Sequence, residues 1–325
     1  MSAYLLRRIL YALPILIGVN LITFALFFVV NTPDDMARMQ LGMKRVTPEA
    51  ILKWKQERGY DKPLLYNSTS SGFSSFKDTI FFDKSVRLFA FEFGRSEDGR
   101  DIGHEIRMRM APSLAIALPG FLIGLAAYVT FSLILALLRG TYVDFSAVIL
   151  CIAAMSISGM FYIIGGQYLV SKLWRLFPIS GFGDGIAAWK FVVLPVLIGL
   201  VGAIGERTRW YRTIFLEEIG KDYVRTARAK GLSDRQVLFG HVLRNALIPI
   251  LTGVVVAIPS LFMGSLLTES FFAIPGLGSY TIDAISSQDF SVVRAMVFLG
   301  AVLYVIGLIL TDLAYTVADP RIRLQ

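Results

Sequence analysis

Apolar positions along this chain gather into runs too long to be buried stripes of a soluble domain. Residues 9–30, 113–138, 145–170, 188–206, 246–270 and 292–313 hold few ionisable side chains. Most of these runs can cross a hydrocarbon core about 30 Å thick as single helices. The fourth is the exception, because its uninterrupted apolar stretch covers only residues 191–205. It must borrow its polar flanks or be continued by the helix beyond. The pattern predicts an all-α integral membrane protein with six transmembrane helices in a single domain over 1–325. A cleaved signal peptide is the other reading of the first run, but the run is too long and no small-residue cleavage site follows it.

The polar intervals orient these spans. Arg7 and Arg8 precede the first run, which places the N-terminus in the cytoplasm by the positive-inside bias. Residues 31–110 then form a long extracytoplasmic insertion, and residues 172–190 an outer loop with Trp174 and Trp189 near its ends. Residues 206–245, dominated by lysine and arginine, return to the cytoplasm, as does the tail 314–325 with its DPRIR segment. Both termini are therefore expected on the cytoplasmic side.

Local signals add detail. Thr47, Pro48 and Glu49 predict a capped helix running through Trp54 towards Gly59. NSTSSGFSS reads as a solvated loop, and its Asn67-Ser68-Thr69 triplet matches a glycosylation sequon of low specificity. Phe89, Phe91 and Phe93 alternate as in a strand or an interfacial aromatic segment. Pro119-Gly120 can kink the second span, and Gly159, Gly165 and Gly166 allow close helix approach in the third. Residues 217–245 predict two short helices with a tight joint. Gly231 suits a left-handed C′ position, Ser233 and Gln236 form a capping box, and Leu232 with Val237 a hydrophobic staple.

Composition agrees with the pattern. The chain is 55% hydrophobic and 17% charged, with a mean hydropathy of +0.63, beyond the range of soluble domains. Its net charge of +8 follows from basic residues kept at the cytoplasmic face rather than from nucleic-acid binding. Cys151 stands alone in an apolar run, so no disulfide framework is expected. No Walker A loop, no H-E-x-x-H and no clustered nucleophile, base or metal ligand occurs, which speaks against an enzyme and against a bound cofactor or metal. A secondary transporter or channel is the rival reading, and the scarcity of intramembrane ionisable groups argues against the proton or sodium relay it would need.

Two places carry candidate chemistry. Glu269, in LLTESFFAIPGLG with Pro275 and Gly276, lies near the outer end of the fifth run, where it can serve gating or cap a broken helix. In the cytoplasmic interval, Lys221, Arg225 and Arg228 recur at i, i+4 and i+7 beside Tyr223, Val224 and Ala227, and Glu217 is placed for an ion pair with Lys221. Such a short helix needs a surface to dock on.

YVRTARAKGLSDRQVLFGHVLRNALIP resembles the cytoplasmic signature loop of ATP-binding cassette importer permeases, in the dipeptide, oligopeptide and nickel branch. YLLRRILYALPILIGVNLITF, TPEAILKWKQERGYDKPL, RMAPSLAIALP, LLTESFFAIPGLG and DPRIR resemble the same branch. The superfamily pattern E-A-A, three residues, G, nine residues, I-x-L-P aligns its glycine with Gly231 and its first positions with Arg225, Thr226 and Ala227. Its last four positions fall on His241, Val242, Leu243 and Arg244. This chain departs at the glutamate, the first alanine, the isoleucine and the proline, so the superfamily glutamate's role does not transfer to Arg225.

The resemblance implies a permease subunit that forms half of a pathway with a second, homologous permease subunit, above two ATPase subunits that bind ATP and Mg. An extracytoplasmic solute-binding protein would deliver peptides or similar solutes. It further implies that Arg225, Thr226, Ala227, Arg228, Lys230 and Gly231 form an ATPase-coupling segment.

Overall fold

The computed structural model describes residues 2–42, 46–68, 72, 74–183 and 185–318. The DPRIR tail and parts of the NSTSSGFSS loop, including Thr69 of the sequon, lie outside the described residues. Helices account for nearly all regular structure, and the β pairing among the described residues is an isolated antiparallel bridge between Arg95 and Asp101. Among the described residues, five helices are long and apolar enough to cross a membrane: Leu10–Val30, Ile102–Leu137, Trp189–Ile219, Asp234–Phe271 and Phe290–Ala314. A sixth crossing exists only if Tyr142–Met155 and Gly159–Leu173, bent by 89° at the break between them, count as one.

That bend falls within the third span expected over 145–170. The serines cause it. Ser156 turns its hydroxyl back to the carbonyl of Ile152 at 2.9 Å, and Ser158 is extended, with φ −60° and ψ 142°. Hydroxyls that bond local carbonyls offer the backbone an alternative to the helical ladder. The second span also differs from its expected bounds of 113–138, since its helix starts at Ile102. Asp101 accepts from the amide of His104 at 2.7 Å, an N-cap that lets the polar residues before the apolar run join the helix. Likewise the fourth span continues past its apolar stretch to Ile219.

The chain divides into two compact units. One holds the described residues up to Met108 together with Tyr280–Ile309. Here the predicted Thr47 cap is present, with the amide of Ala50 donating to Thr47 Oγ1 at 3.3 Å. The helix Pro48–Arg58 ends on Gly59 at φ +69°. Thr32 and Asp35 form a capping box before Pro33–Leu41, and its hydrogen bonds hold the Asp35 carboxyl below the usual carboxylate range. Phe24, Phe28, Met36, Trp54, Tyr60 and Ile80 form one buried cluster, with the Tyr60 ring 5.5 Å from both Phe28 and Trp54. The strand read from Phe89, Phe91 and Phe93 does not form. Val86–Ala90 is a 3-10 helix, and Phe91 (φ 59°) and Gly94 (φ 78°) are left-handed, which turns the chain out of any extended run.

The other unit holds Arg109–Ser279 with the described residues from Leu310 on. Its Trp189–Ile219 helix lies against both arms of the bent pair. Arg212 binds Asp144 with two hydrogen bonds, Nε to Oδ1 at 3.0 Å and Nη2 to Oδ2 at 2.8 Å. This fork geometry fixes direction as well as distance. Gly205 permits the approach, because a Cβ there would lie 2.5 Å from the carbonyl oxygen of Cys151. Gly199, on the same helix, has nothing within 4 Å of its ideal Cβ. Gly205→Ala should therefore lose about 1–3 kcal/mol to overpacking and lower the thermal midpoint in detergent, while Gly199→Ala should match or exceed the parent. Equal midpoints for the two variants would show that this contact does not limit packing.

Candidate functional site

The residues singled out in the sequence fall in two places within the second unit, at the two ends of the 38-residue segment Asp234–Phe271. They do not form one site. Near its start lies a basic elbow; near its end lies a buried carboxylate.

The elbow begins where the Trp189–Ile219 helix stops at Gly220. Lys221 is extended, with φ −76° and ψ 152°, and opens the Asp222–Ala229 helix. Lys221 therefore does not share a helical face with Arg225 and Arg228, and the expected Glu217–Lys221 pair does not form. Glu218 takes the role instead. Buried at 7% exposure, it accepts from the Lys221 ammonium and from the Tyr223 hydroxyl, the latter at 2.6 Å. Burial first, then the bond to Glu218, push the Tyr223 hydroxyl up to about 12. Nothing in the periodicity singled out Glu218; its three-residue spacing from Lys221 was the available signal.

Beneath this short helix, Val224 and Ala227 are buried with Phe215, Val237, Leu238 and Val242. Ala227 thus packs into the seat of the helix. Arg225, Thr226, Arg228, Lys230 and Gly231 are exposed. The Arg225 side chain is 77% exposed and 3.4 Å from Asp222, and that of Arg228 is 51% exposed and 3.3 Å from Asp234. Pairs so wet contribute about 0–1 kcal/mol each, so both guanidiniums are free to take other partners at small cost.

The joint is a Schellman end. The amide of Leu232 reaches the Ala227 carbonyl at 3.4 Å and that of Gly231 the Arg228 carbonyl at 2.9 Å. Gly231 sits at φ +81°, where a side chain is strained. Ser233 and Gln236 close the predicted capping box, with amide-to-side-chain distances of 3.0 and 3.4 Å. The second helix, expected to be short, does not end within the charged interval. Asp234–Val237 passes through a π turn, Leu238–Val242, into Leu243–Met263. Val237, Leu238, Val242, Ala246 and Ile250 present one buried face throughout, so no boundary arises where the charged residues end.

At the other end, Leu243–Met263 stops at Gly264, with φ +71°. Glu269, in the next short helix Leu266–Phe271, is 1% exposed. Its Oε1 accepts from the amide of Ser265 at 3.1 Å, and its Oε2 from the amides of Gly278 at 2.7 Å and Ser279 at 3.1 Å. Ser113 Oγ accepts from the amide of Leu277 at 2.8 Å. The last three donors open the Leu277–Ser286 helix and have no partner within it. A carboxylate there also meets the favourable end of the helix dipole.

Glycine is required around this knot. A Cβ on Gly276 would lie 2.2 Å from Oε2 of Glu269, and one on Gly264 2.1 Å from Oε1. Pro275 has no amide hydrogen to satisfy, and the Gly276 amide donates to Ser279 Oγ at 3.1 Å. The geometry makes Glu269 a brace across a helix break. Ser113, far away in sequence, gave no signal of its part in it.

Comparison with known proteins covers both places. Residues 108–324 match the family described as the inner membrane component of binding-protein-dependent transport systems. Residues 1–91 match the N-terminal model of membrane components of such systems. The chain is 29% identical to the dipeptide transport system permease protein DppB of Escherichia coli, over 99% of each chain. It is 31% identical to the di/tripeptide transport system permease protein DppB of Pseudomonas aeruginosa over 100% of each. A putative peptide transport system permease protein of Brucella abortus is 31% identical over 99% of each.

Replacing Glu269 with glutamine preserves volume but turns a donor towards backbone amides. Glu269→Gln should cost about 1–3 kcal/mol, read as a lower thermal midpoint of the detergent-solubilised protein, and Gly276→Ala should cost at least as much. An unchanged midpoint in Glu269→Gln would remove the bracing role.

Proposed function

We propose a mechanism from a plain premise: this chain belongs to the family of inner membrane components of binding-protein-dependent transport systems. It is the membrane-spanning permease subunit of an ATP-binding cassette importer, and its relatives are named for the transport of dipeptides, tripeptides and peptides. Its cargo is accordingly of that class, peptides or similar small solutes. The subunit supplies half of a pathway completed by a second, homologous permease. ATP and Mg are bound by two separate ATPase subunits, and an extracytoplasmic solute-binding protein delivers the cargo. Both termini and the elbow face the cytoplasm, while the segment after the first span faces outward, in accord with the basic residues at positions 206–245.

One observation supports the coupling role most strongly. The Asp222–Ala229 helix offers Arg225, Arg228 and Lys230 to a partner while its apolar side is locked into the ends of two long helices. A push on this helix is delivered to Trp189–Ile219 through Glu218 and to Asp234–Phe271 through the Gly231 joint. A flexible loop would absorb the same displacement. The brace at Glu269 stands at the far end of the second of these helices, so motion entering at the elbow arrives at a fixed turn.

Charge reversal at the elbow tests this reading. The double substitution Arg225→Glu with Arg228→Glu should leave the permease folded but reduce copurified ATPase by about tenfold, the equivalent of 1.4 kcal/mol. Gly231→Pro should abolish ATP-driven uptake by removing the amide that closes the helix and denying the left-handed conformation. Solute flux through this chain without ATPase subunits would instead support a secondary transporter or channel.

A further inference from the structure

The first unit contains a polar cavity of about 480 Å³ that the coupling mechanism does not use. Five basic side chains line it, Lys84, Arg87, Arg95, Arg107 and Arg294, against three acidic ones. The basic groups outnumber the acidic ones, two of which pair within the cavity and the third of which caps a helix. Asp83 lies 3.6 Å from Lys84 and 3.3 Å from Arg87, and Glu92 lies 3.7 Å from Arg87. The carboxylate of Asp101 takes the amide of His104.

Arg95, Arg107 and Arg294 are left with no ion pair among the described residues. Arg107 donates through Nε to the Gly103 carbonyl at 3.2 Å. Arg294 is only 5% exposed. Its Nε and Nη1 donate to the carbonyls of Phe290 at 3.3 Å and Lys84 at 3.1 Å, and its guanidinium carbon stands 4.9 Å from the centre of the Phe28 ring. Those bonds use two of the five donors that a guanidinium carries. Burial also holds the Lys84 amine below the usual lysine range, with Arg294 adding to the effect and Asp83 opposing it.

Arg294 feels the negative charges of Asp289, Asp83 and Glu97, but none of them lies within ion-pair distance, and a buried cation held without a direct partner is costly. Here the pairing partner has room to come from outside. We infer that this cavity is a carboxylate-binding site, with Arg294 as its buried anchor and the exposed Arg95 and Arg107 at its rim, for a solute of dipeptide size bearing a free carboxylate. Forked guanidiniums suit that group because each can meet both oxygens. Only the identification of the carboxylate with a peptide C-terminus rests on the peptide-import reading.

The test uses the full chain with its partner permease and ATPase subunits in lipid nanodiscs, without solute-binding protein. Titration calorimetry would compare dialanine, N-acetyl-dialanine and dialanine amide. The first two should bind alike and the amide roughly tenfold or more weaker, the loss expected for a charge-assisted pair. Arg95→Gln and Arg107→Gln, at exposed positions that spare the fold, should each weaken binding of the acids and leave the amide unchanged. Equal binding of acid and amide, or unaltered acid affinity in both variants, would overturn the site.

ATP-driven dialanine uptake into proteoliposomes supplied with binding protein reports on transport separately. Uptake without acid-selective binding overturns the site and leaves the transport reading standing. Acid-selective binding without uptake of any peptide upholds the site and overturns the transport reading.

Discussion

Backbone polar groups removed from water must find partners within the protein, and in a chain this apolar that demand decides where helices can break. The carboxylate of Glu269 meets it by accepting three backbone amides across the interval between Gly264 and Ser279. Without that acceptor, the first turn of Leu277–Ser286 and the start of Leu266–Phe271 would expose donors with no partner in the fold. The glycines follow from the same need, since Gly264 and Gly276 leave the space the carboxylate fills. The break at residues 156–158 solves the problem differently. There the Ser156 amide bonds the carbonyls of Ile152 and Ala153, both at 3.1 Å, so the first arm closes on itself before the chain turns by 89°.

The elbow shows the opposite economy. Its helix is too short to stand alone, and its surface ion pairs are weak. Order comes from Val224 and Ala227 underneath and from Glu218 at one side, which binds both the cap residue Lys221 and Tyr223. The charged face is thereby relieved of any structural duty. That separation lets the same eight residues hold position with one side and leave the other exposed.

How much of this was legible depended on whether the signal was local. Gly231, Ser233 and Gln236 encode their turn within a few residues, and the structure repeats that turn bond for bond. Thr47, Pro48 and Gly59 did the same for the helix between them. Bounds drawn from hydropathy were less faithful, because helices extend as long as caps and packing allow. Asp101 extended the second span backwards, and Val237 to Ile250 carried the fifth back through charged residues to Asp234. The bend at Ser156 and Ser158 was hidden by an apolar run that continues through it. Long-range partners had no signature at all: neither Ser113 for Leu277 nor Asp144 for Arg212 is marked by spacing.

The two buried ions, Glu269 and Arg294, show why such groups demand separate treatment. Both are nearly inaccessible, at 1% and 5% exposure, and both touch backbone groups rather than an opposite charge. Glu269 is saturated, with each oxygen accepting from amides that have no alternative partner, and its surroundings leave no room for even a methyl group on Gly264 or Gly276. Arg294 is not saturated. Its bonded donors are a minority, and beside it lies a cavity of about 480 Å³ lined by more basic than acidic side chains. Burial alone therefore does not distinguish a brace from a binding site. What distinguishes them is the balance of donors against acceptors, together with the space left at the charged atoms, and by both measures one ion completes the fold while the other remains available to a ligand.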